Sequence, residues 1–320
     1  MRAIVQDRYG SADVLELGEL AVPAPVAGEV RVRVRAASVN AADWHIMRGD
    51  PYVARFAAPA VFGATGPKRK VRGRDFAGVV DAVGAGVTRL RPGDQVYGYA
   101  GEGEGTFAEF VCVPEDLVDV KPANLTFEQA AAVPLAAGTA LVGLRDVARL
   151  RPGQSILING ASGGVGTFAV QLAVAFGATV TGVCSTRNVD LVRSLGAAEV
   201  VDYRERDFAR AGREYDVILD LVGNRSLTDL RRTLTPDGTL VLAGGGVSDG
   251  GSLIGPMALI IRGWMVSRFV RHRLEQFTLK PGRDHLVTLR ELAEAGKFVP
   301  VVDRTFPLGE AAAAVRYVEV

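Results

Sequence analysis

Hydrophobic and polar positions alternate strictly near the start of the chain, where Val30, Val32 and Val34 interleave with Arg31, Arg33 and Arg35. That period of two predicts a half-buried strand. Further short strand patterns cover residues 76–83, 95–99 and 107–113, separated by Gly84-Ala-Gly86, Arg91-Pro-Gly-Asp94 and the glycine-rich residues 101–105. This first segment reads as compact and mainly β. The rhythm changes after Lys121-Pro122: Thr126-Phe-Glu-Gln129 has capping-box spacing, and the alanine-rich stretch to about Leu150, broken by Pro134 and Gly138, predicts helices. Apolar runs then start at Ser155, Thr179, Glu199, Tyr215 and Gly238 with helical stretches between them, the βαβ rhythm of a parallel sheet. A sixth strand is predicted over residues 276–280. An amphipathic helix follows over 284–296, with Leu286, Leu289, Leu292 and Ala293 on one face. The expected organisation is a β-rich domain at 1–125, a parallel α/β domain at 126–281, and a return to the first domain at 282–320.

Composition narrows the function classes. A chain of 320 residues with 48% hydrophobic content supports two domains and a sizeable core. A formal net charge of +1 speaks against a general nucleic-acid binder, which carries a basic surplus. Cys112 and Cys184 stand far apart without CxxC spacing, so neither a disulfide framework nor a thiolate metal site is expected, and both read as small core residues. The opening MRAIVQDRYG lacks the layout of a signal peptide, and a cytoplasmic location is expected. The most apolar stretch, residues 257–261, is interrupted by Arg262 and Arg268 well short of the ~20 residues of a membrane span, and reads as a helix packed on the body or beside a partner subunit.

Candidate chemistry centres on Ser155 to Gly166. A short apolar strand runs into Gly160-Ala-Ser-Gly-Gly-Val-Gly166, and Val165, Phe168, Leu172 and Phe176 then recur at helical spacing. Ala161, Gly163 and Gly166 occupy the three small positions of a GxGxxG fingerprint. Small residues keep the turn tight, let the backbone approach a pyrophosphate, and let the helix pack close so that its N-terminus holds the anion. In such a fold the end of the second strand meets the adenosine ribose, where NAD enzymes place a carboxylate. Here that strand ends in Ser185-Thr-Arg187-Asn188. A hydroxyl and a guanidinium suit a 2′-phosphate, which points to NADPH.

Several motifs together resemble one family. They are Ala37-Ser-Val-Asn-Ala-Ala-Asp43, Gly73-Arg-Asp-Phe-Ala-Gly78 with Val83-Gly84, Arg91-Pro-Gly-Asp-Gln-Val-Tyr-Gly98, Ala161-Ser-Gly-Gly-Val-Gly166, and Leu195-Gly-Ala197 before Val201-Asp-Tyr203. Over nearly the whole chain the pattern is similar to the zinc-independent quinone oxidoreductases (zeta-crystallin-like) of the medium-chain dehydrogenase/reductase superfamily. The resemblance implies an α/β protein: a GroES-like β-rich catalytic domain, an inserted Rossmann doubly wound parallel sheet, and a cleft between them for nicotinamide and substrate. It further implies that Asn40 lines the nicotinamide side and Thr139 the carboxamide. Ala161, Ser162, Gly163, Gly164, Val165 and Gly166 would form the phosphate turn, and Ser185, Arg187 and Tyr203 the adenine-ribose phosphate corner. Val222, Gly223, Ala243, Gly244 and Gly245 would follow the cofactor's path, with Phe277, Thr278 and Lys280 near the nicotinamide end. A homodimer joined at the sixth-strand edge is expected.

Zinc-dependent relatives place a ligating cysteine where this chain has Asn40, and their Gly-His-Glu reads Gly73-Arg74-Asp75. Residues 97–110 contain none of the cysteines of a structural zinc lobe, and His45, His272 and His285 show no ligand spacing. No metal is expected. Without a Lewis acid, hydride transfer to a quinone or an α,β-unsaturated carbonyl is the expected reaction, with a simple-carbonyl or enoyl-thioester reductase and a non-catalytic NADPH-binding module as alternatives. Tyr52 is the candidate proton donor, with solvent as its competitor. Asp43 either transfers protons or holds local structure. The basic run Lys68-Arg-Lys70 with Arg72 and Arg74 reads as a solvated loop, or as an attractant for an anionic cofactor or nucleic acid. The family usually follows the Arg316-Tyr-Val-Glu319 pattern with Gly-Lys and a last apolar strand, whereas this sequence ends at Val320, which leaves one edge of the first domain in question.

Overall fold

The computed structural model describes all residues except 51, 53–54, 56–61, 64–65, 101–104, 245–262, 264–265, 268–269 and 320. The apolar stretch at 257–261 lies outside the described residues. No helix among the described residues is long and apolar enough to cross a membrane. The chain divides into two compact units, one taking Met1–Leu135 with Lys280–Val320, the other the described residues from 136 to 279.

In the first unit β1 (Arg2–Val5) pairs antiparallel with β2 (Glu16–Glu19). A five-stranded antiparallel sheet follows from β3 (Glu29–Ser38), β4 (Asp75–Val83), β5 (Gln95–Tyr99), β6 (Phe110–Pro114) and β7 (Val118–Val120), in the order β6-β3-β4-β5-β7. The valine/arginine alternation behaves as its period requires. Val30 and Val32 are fully buried with Phe76, Val80, Val96, Val111 and Val113, while Arg31 and Arg33 both reach Asp81 on the neighbouring strand, at 2.6 and 3.2 Å.

The predicted strand at 107–113 starts later, at Phe110. Residues 107–109 leave that ladder and pair with β1 instead, through Ile4 N–H to Phe107 O (2.8 Å) and Glu109 N–H to Arg2 O (3.0 Å). The Arg283–Glu294 helix closes the unit, with Leu286, Leu289 and Ala293 fully buried and Leu292 at the margin of the face. Tyr97 Oη donates to Leu286 O (2.6 Å), and the buried Asp119 of β7 meets Arg283 at 3.3 Å and Arg290 at 3.4 Å. Of the basic run, Lys70 is exposed and pairs with Asp7 at 3.0 Å. Arg72 is not solvated: it is buried, and its charge acts on Asp43.

The second unit is built on β8 (Ser155–Asn159), β9 (Thr179–Cys184), β10 (Glu199–Asp202), β11 (Tyr215–Asp220), β12 (Leu234–Leu242) and β13 (Arg273–Gln276). All pair in parallel, in the order β10-β9-β8-β11-β12-β13. That is the Rossmann order, whose reversal point lies between β8 and β11. The capping box at 126–129 forms as its spacing predicts, with Gln129 N–H donating to Thr126 Oγ1 (3.2 Å) and Thr126 N–H to Gln129 Oε1 (3.1 Å).

Two expectations are corrected. Gly138 does not break a helix; it lies inside the Pro134–Leu141 helix, which begins at a proline, where the missing N–H costs nothing. The sixth strand is Arg273–Gln276, not 276–280. Its parallel register runs from Thr239 opposite Arg273 to Leu242 opposite Gln276, so the ladder ends where β12 ends. Phe277 turns over Gly143 instead, where an added Cβ would sit 3.2 Å from the Phe277 ring.

Candidate active site

The glycine turn joins β8 to the Gly164–Ala175 helix, with Gly163 as its N-cap in extended conformation. The backbone requires glycine at two places. Gly160 has φ +89°, and a Cβ on Gly166 would lie 2.1 Å from Gly160 O. Alanine at 161 is accommodated by the neighbouring strand: its methyl lies 3.0 Å from where a Cβ on Gly182 would sit, so Gly182 makes the room that the missing first glycine usually provides.

The residues fit a dinucleotide phosphate. The first N–H groups of the helix have no intrahelical acceptor, no side chain caps them, and open space surrounds the Cα of Gly164. The turn, the loop after β11 and the end of β12 also hold one another. A Cβ on Gly160 would meet Val222 at 2.8 Å, and one on Gly244 would meet Leu221 and Val222 backbone at 2.4 and 2.5 Å.

Asp220 fastens that loop. Buried at the end of β11, its Oδ1 accepts from Asn159 Nδ2 (2.9 Å), Val222 N–H (3.1 Å) and Gly223 N–H (3.0 Å). Asn159 donates further to Asn224 Oδ1 (3.0 Å). Val222, Gly223, Ala243 and Gly244 are thus gathered near the carboxyl ends of the central strands, whereas Gly245 lies outside the described residues.

At the end of β9 Ser185 is buried, and Arg187 and Tyr203 are exposed. Arg187 has no ion-pair partner among the described residues. Asp202, at the end of the neighbouring strand β10, is held below the usual carboxylate range by a hydrogen bond from the Thr186 side chain and by Arg204 N–H (2.9 Å). Its charge is therefore engaged locally.

The first unit holds a separate, buried polar cluster around Asn40, the N-cap of the Ala41–Arg48 helix. Asn40 N–H donates to Asp43 Oδ2 (2.8 Å), and Asn40 Nδ2 donates to Ser38 Oγ and Asp75 Oδ2, both at 3.1 Å. Asp75 Oδ2 also accepts from Ser38 Oγ and from Leu135 N–H, again at 3.1 Å, while its Oδ1 is buried with no hydrogen-bond partner among the described residues. Burial pushes the Asp75 carboxyl up to about 7; the Leu135 amide pulls it down and the charge of Asp43 raises it further. Burial likewise pushes Asp43 up to about 6 against the Asn40 amide, Arg74 and Arg72.

Asn40 and Asp43 are therefore brought together, and Tyr52 is not joined to them. Its ring lies 4.7 Å from the guanidinium carbon of Arg55, which donates to Gly49 O (2.8 Å) and Arg48 O (3.2 Å). Tyr52 is tied to the C-terminal end of the helix that Asn40 caps, a length of about 12 Å. Thr139 lies in the Pro134–Leu141 helix, and beyond β13 Thr278 and Lys280 are exposed.

Sequence reasoning missed Asp75, Asp220 and Asn159 as organisers. The available signal was a charged or amide group at one terminus of a strand, at the start of β4 for Asp75 and at the ends of β8 and β11 for Asn159 and Asp220. Among the described residues no group of three or more His, Cys, Asp or Glu could hold a metal ion.

Comparison with known proteins agrees with this architecture. Residues 26–123 match the alcohol dehydrogenase GroES-like domain and residues 195–320 the zinc-binding dehydrogenase family. The chain is 36% identical to the mitochondrial NAD(P)H oxidoreductase RTN4IP1 of Mus musculus, covering 100% of this chain and 86% of that protein. It is 33% identical to the chloroplastic NADPH-dependent alkenal/one oxidoreductase of Arabidopsis thaliana, covering 100% and 76%. The Escherichia coli quinone oxidoreductase complexed with NADPH superposes with a TM-score of 0.83 at 26% identity, covering 100% and 96%. With a GroES-like β unit, a six-stranded Rossmann sheet and these relatives, the chain belongs to the medium-chain dehydrogenase/reductase superfamily, among its zinc-independent quinone oxidoreductase-like members.

Proposed function

We propose that this oxidoreductase uses NADPH to reduce quinones or α,β-unsaturated carbonyls. The observation that carries the cofactor choice is the corner after β9, where the strand leads into Ser185 and an exposed Arg187 with no ion-pair partner among the described residues, rather than into the carboxylate that binds a ribose and would exclude a 2′-phosphate. An Arg–phosphate hydrogen bond contributes about 1.5–3 kcal/mol, a preference of about 10- to 100-fold. Arg187→Ala is accordingly expected to weaken NADPH binding at least about tenfold and NADH binding far less. Equal affinities of the parent protein for the two cofactors would overturn the assignment.

The chemistry available from a bound dihydronicotinamide is hydride donation. The chain's own residues bind and orient. The glycine turn, the Asp220-held loop at Val222 and Gly223, and Ala243 with Gly244 receive the dinucleotide in this reading. By the family resemblance, Asn40, fixed by Asp43 and Asp75, would serve the nicotinamide side, Thr139 its carboxamide, and Phe277, Thr278 and Lys280 the nicotinamide end. A conjugated acceptor needs no metal to take the hydride, because its own π-system spreads the charge. In this reading solvent supplies the proton, and Tyr52, which packs against Arg55, is the competing donor. Tyr52→Phe should then keep enone turnover within about threefold, and a loss of tenfold or more would restore Tyr52 as donor.

The test of the function is NADPH oxidation, followed by absorbance, with a benzoquinone, a naphthoquinone, a short enone, a long enal and a saturated ketone. Turnover of quinone or enone without added metal supports the reading. Tight NADPH binding without turnover on any acceptor favours a cofactor-binding module instead.

A further inference from the structure

Asn188 closes the short turn Thr186–Asn188 after β9, one residue beyond Arg187. Its side-chain amide nitrogen donates to Ser162 Oγ at 3.0 Å and reaches Ser185 Oγ, more loosely, at 3.5 Å. Ser162 belongs to the glycine turn and Ser185 to the end of β9. One amide therefore spans two segments that come from opposite sides of a helix in the sequence and that both face the proposed cofactor.

The direction of those hydrogen bonds has a chemical consequence. A serine hydroxyl owns one proton and two lone pairs. When a lone pair is filled by the Asn188 N–H, the hydroxyl has an acceptor function satisfied and its proton left to give. A phosphate monoester dianion only accepts, so it pairs with hydroxyls in that state. A ribose hydroxyl both gives and accepts, and gains nothing from the same bias. Were the Asn188 amide turned over, its oxygen would take the serine protons and the preference would vanish.

We propose that Asn188 is a specificity-determining positioning residue: by donating to Ser162, and secondarily to Ser185, it turns their hydroxyl protons toward the 2′-phosphate of NADPH. The inference rests on the NADPH reading above and adds a residue to it.

The test is the affinity of the purified protein for NADPH and for NADH, followed by dinucleotide fluorescence, in the parent and four variants, with folding checked by circular dichroism melts. Asn188→Asp installs a carboxylate that takes the serine protons and repels phosphate, so the NADPH-to-NADH affinity ratio is expected to fall about 50-fold. Asn188→Ala only frees the hydroxyls to rotate, so a fall of about fivefold is expected. Ser162→Ala should cost a similar factor, and the Ser162→Ala/Asn188→Ala double variant should fall little further, because Asn188 acts through that hydroxyl. A purely structural role would lower both affinities together and add to the serine loss. If the parent prefers NADPH and all four variants keep that preference, the role of Asn188 is overturned and the cofactor reading stands. If the parent binds NADH as well as or better than NADPH, the cofactor reading itself fails and the role of Asn188 goes with it.

Discussion

Gly166→Ala should abolish measurable dinucleotide binding and lower the melting temperature by on the order of 5–10 °C. The added methyl would lie 2.1 Å from Gly160 O and 2.8 Å from the backbone of Ala161. No side chain is available to rotate out of the way, so the turn itself has to move. Overpacking of this kind costs about 1–3 kcal/mol, or more where only backbone can yield. The displaced turn carries Gly163 and Gly164, whose surroundings form the proposed anion cradle, so binding and stability are expected to fall together. Gly164→Ala is the matched control for packing, because nothing lies within 4 Å of its added methyl. It should melt like the parent, and any loss of NADPH affinity there reports on the approach of the ligand. A Gly166→Ala protein that melts and binds like the parent would show that the turn is more yielding than its close contacts imply.

Asp75→Asn should become progressively more stable than the parent as the pH is raised from about 4 to about 7. An aspartate ordinarily titrates at 3.8, and burial holds that of Asp75 up to about 7 in the folded protein. Between those values the folded state keeps a proton that the unfolded chain has released, so parent stability falls as pH rises through the window. Below it both states are protonated, and above it the full cost of the buried charge is present. Each unit of displacement corresponds to about 1.4 kcal/mol, so the difference between variant and parent reaches several kcal/mol. The amide cannot ionise, yet keeps an oxygen to accept from Ser38, Asn40 and Leu135. Asp43 titrates at about 6, while Asp75 still holds its proton, so its own titration should stay where it is in the variant. Thermal melts of both proteins from pH 4 to pH 8 decide the matter; a difference that stays constant across that range would mean that Asp75 does not hold a proton in the fold.

The strand at residues 29–35, the capping box at 126–129, the strand at 95–99 and the glycine turn at 160–166 were all legible from local pattern. Side-chain period, cap chemistry and the steric demand for small residues operate over a few positions, and they were read at that range. The sixth strand was placed several residues late because its limits are set by its partner: β12 ends at Leu242, opposite Gln276, and the sequence after it has no breaker to mark the stop. Arg72 read as part of a solvated run because charge clusters usually are, whereas in the fold it is buried.

The carboxylates divide in the same way. Asp43 was visible because it lies three residues from Asn40, within one turn of helix. Asp75 was not, because its role depends on Asn40 thirty-five residues before it and Leu135 sixty residues after it. Asn188 meets Ser162 across 26 residues for a similar reason: β8 and β9 are neighbours in the sheet.

By itself the sequence determined the two kinds of architecture, the glycine turn after β8 and the absence of a carboxylate from residues 184–188, since each is written in residues a few positions apart. Only the tertiary structure decided which polar groups are buried together and in which direction their hydrogen bonds run. Those choices depend on sheet pairing between distant segments, and a buried charge or amide takes whichever partners that pairing brings within about 3 Å.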